Sequence, residues 1–104
     1  MKEDALKIIN HYGVMPQLKY FQSEVFELNE AIIEYETTKR LLQLDAVQER
    51  FEMYDFKRHI AEEIADVLVM LNQFKEYYNI SDDEIDEIMI EKIDRQLDRI
   101  SNGE

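Results

Sequence analysis

Only three residues in this 104-residue chain are strong helix breakers, two glycines and one proline. Val, Ile and Thr do not alternate with polar residues anywhere, so the period-2 signature of a half-buried strand is missing. A chain with 45% hydrophobic residues must still bury a core. With so little punctuation, its means of doing so is long helices. The expected fold is all-α: one domain over residues 1–104, a helical bundle of four main helices completed by oligomerisation. A domain of this size buries a modest fraction of its surface alone, which favours association as a homodimer or homotetramer.

The first predicted helix covers residues 3–11 and ends at Gly13, a C-terminal stop. Pro16 suits the first turn of a second helix running to Leu42. Residues 43–55 (QLDAVQERFEMYD) are compatible with a continued helix, a short extra one or a loop, with Asp55 as an N-cap. A third helix is predicted over 56–78, with Asn79 as its stop. Ser81 and Glu84 form a capping-box pattern that opens a fourth helix running to Ile100.

Two carboxylate pairs interrupt this pattern: Glu24/Glu27 in SEVFELNEAI and Glu63/Asp66 in EEIADVLVML. At about 100° per residue, Phe21, Val25, Leu28, Ile32 and Tyr35 form one apolar stripe. Glu24 lies near 300° on that wheel, inside the arc closed by Ala31, and Glu27 lies at its edge near 240°. With Ile60 as origin, Ile64, Val67, Leu71 and Phe74 mark the second stripe, and Glu63 and Asp66 fall at the same roughly 300° and 240° offsets. An unpaired buried ion costs several kcal/mol, against a domain's total stability of roughly 5–15 kcal/mol. Inward carboxylates therefore require cations, either Lys and Arg or metal ions. Glu30 and Glu62 lie off the stripes and are expected to face solvent.

The predicted fourth helix carries its own stripe, Ile85, Met89, Ile93 and Ile100. Lys92, Arg95 and Arg99 line its edge and offer an anion site, since Arg binds phosphate through paired hydrogen bonds. The bland alternative is pairing with Glu91 and Asp98.

The formal net charge is −12. Such a field repels nucleic-acid polymers and anionic membranes but favours divalent cations. A nucleotide remains admissible where metal ions neutralise its phosphates. There is no cysteine, hence no disulfide and no thiolate metal site. MKEDALKIINHYG lacks a signal-peptide apolar run, and no stretch approaches about 18 apolar residues. The expected setting is soluble and cytoplasmic.

Carboxylate oxygens are hard ligands suited to Mg²⁺ or Mn²⁺. Glu-x-x-Glu and Glu-x-x-Asp place two of them one turn apart, about 5–6 Å between Cβ atoms. Two such helices face to face can hold Mg²⁺ and present it to a triphosphate. His11 and His59 are isolated and form no Glu-x-x-His pair of the di-iron type. Tyr20, Tyr35 and Tyr54 are candidates for stacking on a base, although most aromatics in such a chain are core.

QLKYFQSEVFELNEAI, AEEIADVLVML and EKIDRQLDRI together resemble the MazG-like all-α nucleoside triphosphate pyrophosphohydrolases, relatives of the dimeric dUTPases. The family pattern is EExxE, a spacer, then ExxD, with basic residues on a following helix. The resemblance spans residues 12–100, and EEIADVL is its most specific piece. It implies Mg²⁺-dependent cleavage between the α and β phosphates of a (deoxy)nucleoside triphosphate, releasing the monophosphate and pyrophosphate. It also implies that Glu24, Glu27, Glu63 and Asp66 are both the metal ligands and the catalytic carboxylates, with Lys92 and Arg95 binding substrate. Two features depart from the pattern. Ser23 replaces the first carboxylate of EExxE, and the spacer is longer than in compact members. A catalytically silent helical protein that binds nucleotide or a partner is the competing expectation. An acidic DNA mimic is a third, and it requires exposed carboxylates.

Overall fold

The computed structural model describes all 104 residues. It contains five helices and no strand, with 88% of residues helical. They are α1 (Lys2–Tyr12), α2 (Val14–Leu42), α3 (Ala46–Glu52), α4 (Tyr54–Tyr77) and α5 (Asp82–Ser101). The additional short helix, α3, lies in the stretch that the sequence leaves open. It is set by a capping box: Asp45 accepts from the Gln48 amide at 2.8 Å, and the Gln48 side chain accepts from the Asp45 amide at 3.1 Å. No helix is long and apolar enough to cross a membrane.

Local chemistry explains the boundaries. Gly13 alone separates α1 from α2 and sits at φ 93°, a backbone conformation that side chains disfavour. A Cβ there would still have room, 3.5 Å from Pro16, so the requirement is conformational and not steric. Pro16 lies inside the first turn, where its missing N–H costs nothing. Asn79 adopts the left-handed conformation, φ 54°, just past the end of α4. Ser81 accepts from the Glu84 amide at 3.1 Å and caps α5. The expected Asp55 cap is not used: α4 starts earlier, at Tyr54, with Met53 before it, and Asp55 lies in the first turn beside the helix's positive end. Met53, 1% exposed, anchors the α3–α4 corner instead.

The molecule is built on an antiparallel pair, α2 against α4. Gln17 near the start of α2 meets Gln73 near the end of α4. Phe21 packs edge-on against Phe74, ring centroids 5.5 Å apart. The inward line of α2 runs Gln17, Phe21, Glu24, Leu28, Ala31, Tyr35, and that of α4 runs Ile60, Glu63, Val67, Met70, Phe74; every one is buried or half-buried. Both lines alternate steps of four and three residues, the spacing of knobs-into-holes packing. α1 lies along α4 and α2 through Ala5 and Ile9, the latter fully buried. α3 packs on α4 and is tied to α2 where the Tyr35 hydroxyl donates to Glu49 at 2.6 Å.

The seam is rotated from the predicted stripes. Val25 (37% exposed), Ile32 (41%), Ile64 (43%) and Leu71 (45%) lie on its flank. The apolar arc on these helices is wider than one partner can cover. The contact line follows the seven-residue repeat and not the centre of that arc, and Glu24 and Glu63 lie on it.

α5 stands apart from this core. None of its residues is buried, and Ile85 alone reaches half-burial. The chain's radius of gyration is 17.7 Å, where a compact chain of this length would show about 13 Å. The expected bundle of four main helices is therefore, within one chain, a three-helix core with α3 at its corner and α5 projecting.

Candidate metal centre

Glu24 enters the seam from α2, one α-helical heptad after Gln17. Glu63 and Asp66 enter from α4, one turn apart. Carboxylate oxygens from all three lie within 4.8 Å of one another. Glu24 is 4% exposed and Glu63 9%, while Asp66 lies at the open edge. One oxygen on each buried residue, Oε2 of Glu24 and Oε2 of Glu63, is enclosed and has no hydrogen-bond partner. Buried carboxylate oxygens without a donor are costly and need an explanation.

Protein cations do not supply one. The ion pairs made by Lys39, Arg58 and Lys75 all involve other acids. The one positive-capable neighbour is His59, whose Nε2 lies 3.9 Å from Glu63 on the same face of α4 and is half exposed. The electrostatics follow. Burial raises the Glu63 pKa above its ordinary value; Glu27 and Asp66 push it further, and His59 opposes them. Glu24, as acceptor and as negative charge, holds the Tyr20 hydroxyl above its usual range. Three hard oxygen donors converging without a cation form a donor set that fits a small divalent ion.

Of the four carboxylates singled out in the sequence, the structure brings together Glu24, Glu63 and Asp66. Glu27 is exposed and outside the triad, though near enough for its charge to act on Glu63. Ser23 points away: its hydroxyl donates back to the Lys19 carbonyl at 3.5 Å. Lys92, Arg95 and Arg99 are exposed on α5 and enter no ion pair, with Glu91, Asp98 or the triad.

Sequence reasoning missed Gln17 and Gln73. The Gln17 amide donates to Gln73 Oε1 at 2.7 Å inside the seam, and Gln73 Nε2 lies 3.7 Å from the Met70 sulfur. Their signal was available: Gln17 lies one heptad before Glu24, and Gln73 one heptad after Asp66. His59 reads as isolated in the sequence, although it precedes Glu63 by four residues and so shares its face. A cleft of about 540 Å³ opens from the triad between α1, α2 and α4, with Glu24 and Asp66 at one end and Gln17 and Gln73 in its wall.

No protein-family model, curated protein or solved structure matches this chain.

Proposed function

We propose that this protein is a metal-dependent nucleoside triphosphate pyrophosphohydrolase of the MazG-like kind, acting on ordinary or modified nucleotides in pool control. The single observation that carries this reading is the convergence of Glu24, Glu63 and Asp66, with an enclosed, unpartnered oxygen on each of the two buried glutamates. The triad contains three of the four carboxylates of the two motifs on which the family resemblance rests. The burial of Glu24 and Glu63 also counts against a DNA mimic, which must display its charges.

Glu24, Glu63 and Asp66 would hold the ion, with Glu27 at the rim. A Mg²⁺ ion held there, or Mn²⁺ in its place, would neutralise phosphate charge and lower the pKa of a coordinated water. The chain's own contribution begins with preorganisation. The α2–α4 seam fixes the three carboxylates before substrate arrives, so no reorganisation is needed at reaction. Glu63, where it is not fully used as a ligand, would accept a proton from an attacking water. His59, four residues away and half exposed, can pass that proton to solvent. Phosphate binding is assigned to Lys92 and Arg95. In a single chain they project with α5, so this assignment goes with the proposed homodimer or homotetramer, in which a neighbouring copy covers the apolar side of α5.

The test is pyrophosphate release from a panel of deoxynucleoside triphosphates with Mg²⁺, with Glu63→Gln as control and sedimentation for oligomeric state. Release by the wild type and not by the variant is expected. No turnover of any nucleotide by a folded, metal-bound wild type sinks the enzyme reading. It leaves the silent binding protein, which the Ser23 departure favours.

A further inference from the structure

We propose that the cleft beside the triad is a nucleobase pocket, and that the Gln17–Gln73 amide pair reads the edge of the base. The proposal rests on the pyrophosphohydrolase reading for the triad but concerns a different part of the ligand. The cleft's volume, about 540 Å³, is within the roughly 300–1,000 Å³ of small-molecule sites. Its composition is also that of such a site, mostly apolar walls with a few converging polar groups. Val69 and Met70 form one apolar wall, and Tyr12 (60% exposed) and Tyr20 (55%) stand at the opening as stacking surfaces.

The polarity is graded along its length. At one end are Glu24 and Asp66, where phosphates would meet the metal. One heptad further along α2, about 10 Å, is Gln17, with Gln73 beside it. A sugar and a base fill such a span. The two amides are more than nine-tenths buried, yet they do not use up their hydrogen-bonding capacity. Each amide carries one carbonyl and two N–H donors. Their mutual bond consumes one N–H and one carbonyl. The Gln17 carbonyl oxygen has no protein partner and is not enclosed, since the enclosed orphan atoms are those of Glu24 and Glu63 alone. The Gln73 N–H group has only a long contact with the Met70 sulfur, a weak acceptor. The pair therefore keeps one acceptor, the Gln17 carbonyl, and one weakly engaged donor, the Gln73 N–H, both on residues that line the cleft. These are the two kinds of group with which amides read the amino-and-ring-nitrogen edge of a base. Being neutral, the pair holds a base without attracting a second metal ion or a phosphate.

The experiment is calorimetric titration of the Mn²⁺-loaded protein with tripolyphosphate and with the α,β-imido analogue of each of the four deoxynucleoside triphosphates, whose α–β link resists the proposed cleavage. Tripolyphosphate reports the metal end alone. The wild type is expected to bind at least one nucleotide about tenfold more tightly than the others, and more tightly than tripolyphosphate. The Gln17→Met/Gln73→Met double variant, which keeps side-chain volume, is expected to lose that preference. Its thermal melt reports folding independently. Tyr12→Ala, at an exposed position that the fold does not need, is expected to weaken every nucleotide several-fold against tripolyphosphate through lost stacking. If all four nucleotides bind no better than tripolyphosphate, the pocket is refuted while the metal-site reading stands. If the double variant keeps the wild-type preference, the amides serve only the helix register and the proposal is wrong. If tripolyphosphate also fails to bind, both readings fall together.

Discussion

Two polar layers interrupt the same apolar seam, and they resolve the same difficulty differently. Gln17 and Gln73 are neutral and complementary, so one bond of 2.7 Å joins them across the helices. Glu24, Glu63 and Asp66 are all acceptors when ionised. However they are rotated, none can satisfy another. The first layer is consistent with a structure at rest; the second is complete only with a proton or a cation. One heptad separates them on α2, with the same helices and the same depth, so the difference lies in side-chain chemistry and not in where the fold placed it. A polar layer whose members bond one another stands without a ligand and keeps its spare groups for one, whereas a layer whose members cannot bond one another requires a cation.

The largest expected effect tests whether the acidic layer is a metal centre. Altering a residue that only orients a metal ligand commonly costs 10–100-fold in affinity or activity. Replacing a ligand itself, Glu24→Gln or Glu63→Gln, should therefore lower Mg²⁺-dependent pyrophosphate release by about a hundredfold or more. Glu27→Gln, outside the triad, should cost less. Equal losses for Glu27 and Glu24 would mean that the working site is wider than the three residues the seam brings together. The same comparison can be made without turnover. A ligand at one hundred times its Kd stabilises the folded state by about 2.7 kcal/mol, or roughly 10 °C in Tm for a domain of this size. Mn²⁺ should raise the wild-type melting temperature on that scale, a chelator should reverse it, and Glu63→Gln should abolish it. The Gln17→Met/Gln73→Met protein should respond to Mn²⁺ as the wild type does.

What the sequence made legible was the chemistry of the acidic layer, because its residues break a strong rule. Glu24 and Glu63 share a phase on two separate helices, and charge inside an apolar arc is conspicuous. The glutamine layer breaks a weaker rule. Amides are frequent on half-buried faces, and neither Gln17 nor Gln73 carries a charge that demands a partner. The helix ends at Gly13, Asn79 and Ser81 were legible because each has its own local chemistry. Residues 43–55 were not, since the Asp45–Gln48 box is short and lies between two other plausible boundaries. The rotation of the seam away from Val25 and Ile32 was hidden as well: a broad apolar arc does not say which part the first partner takes. The place of α5 is hidden for the same reason. Its periodic face announces burial, and the chain folded alone does not provide the surface that would bury it.

The glutamine layer can be broken one residue at a time. Gln17→Met alone leaves Gln73 Oε1 buried without its donor, and an unsatisfied buried polar group costs about 1–3 kcal/mol. Removing both partners together is nearly neutral by the same principle. Denaturant midpoints of the two single variants and the double variant complete the cycle. A double variant as unstable as the sum of the singles would show that the amides contribute packing and not a mutual bond.

The smallest effect separates the layers by pH. Burial and the charges of Glu27 and Asp66 raise the folded-state pKa of Glu63 above its ordinary 4.5. The folded metal-free protein therefore binds this proton more tightly than the unfolded chain does. Stability from this group is fully present below pH 4.5 and is lost as pH rises through the raised value. The amide introduced by Glu63→Gln cannot ionise. That variant should therefore melt a few degrees above the metal-free wild type near neutrality, and the gap should close as pH falls toward the ordinary value. Glu49 and Asp82, held below their ordinary values by Tyr35 and Lys75 respectively, act in the opposite sense. They are common to both proteins and cancel in the difference. The Gln17→Met/Gln73→Met protein supplies the contrast, because its gap from wild type should stay flat across the same range. Saturating Mn²⁺ should reverse the order at neutral pH, since the ion favours the ionised carboxylate that burial opposes. A Glu63→Gln gap that ignores pH would place Glu63 in contact with solvent and return the acidic layer to the class of ordinary surface charge.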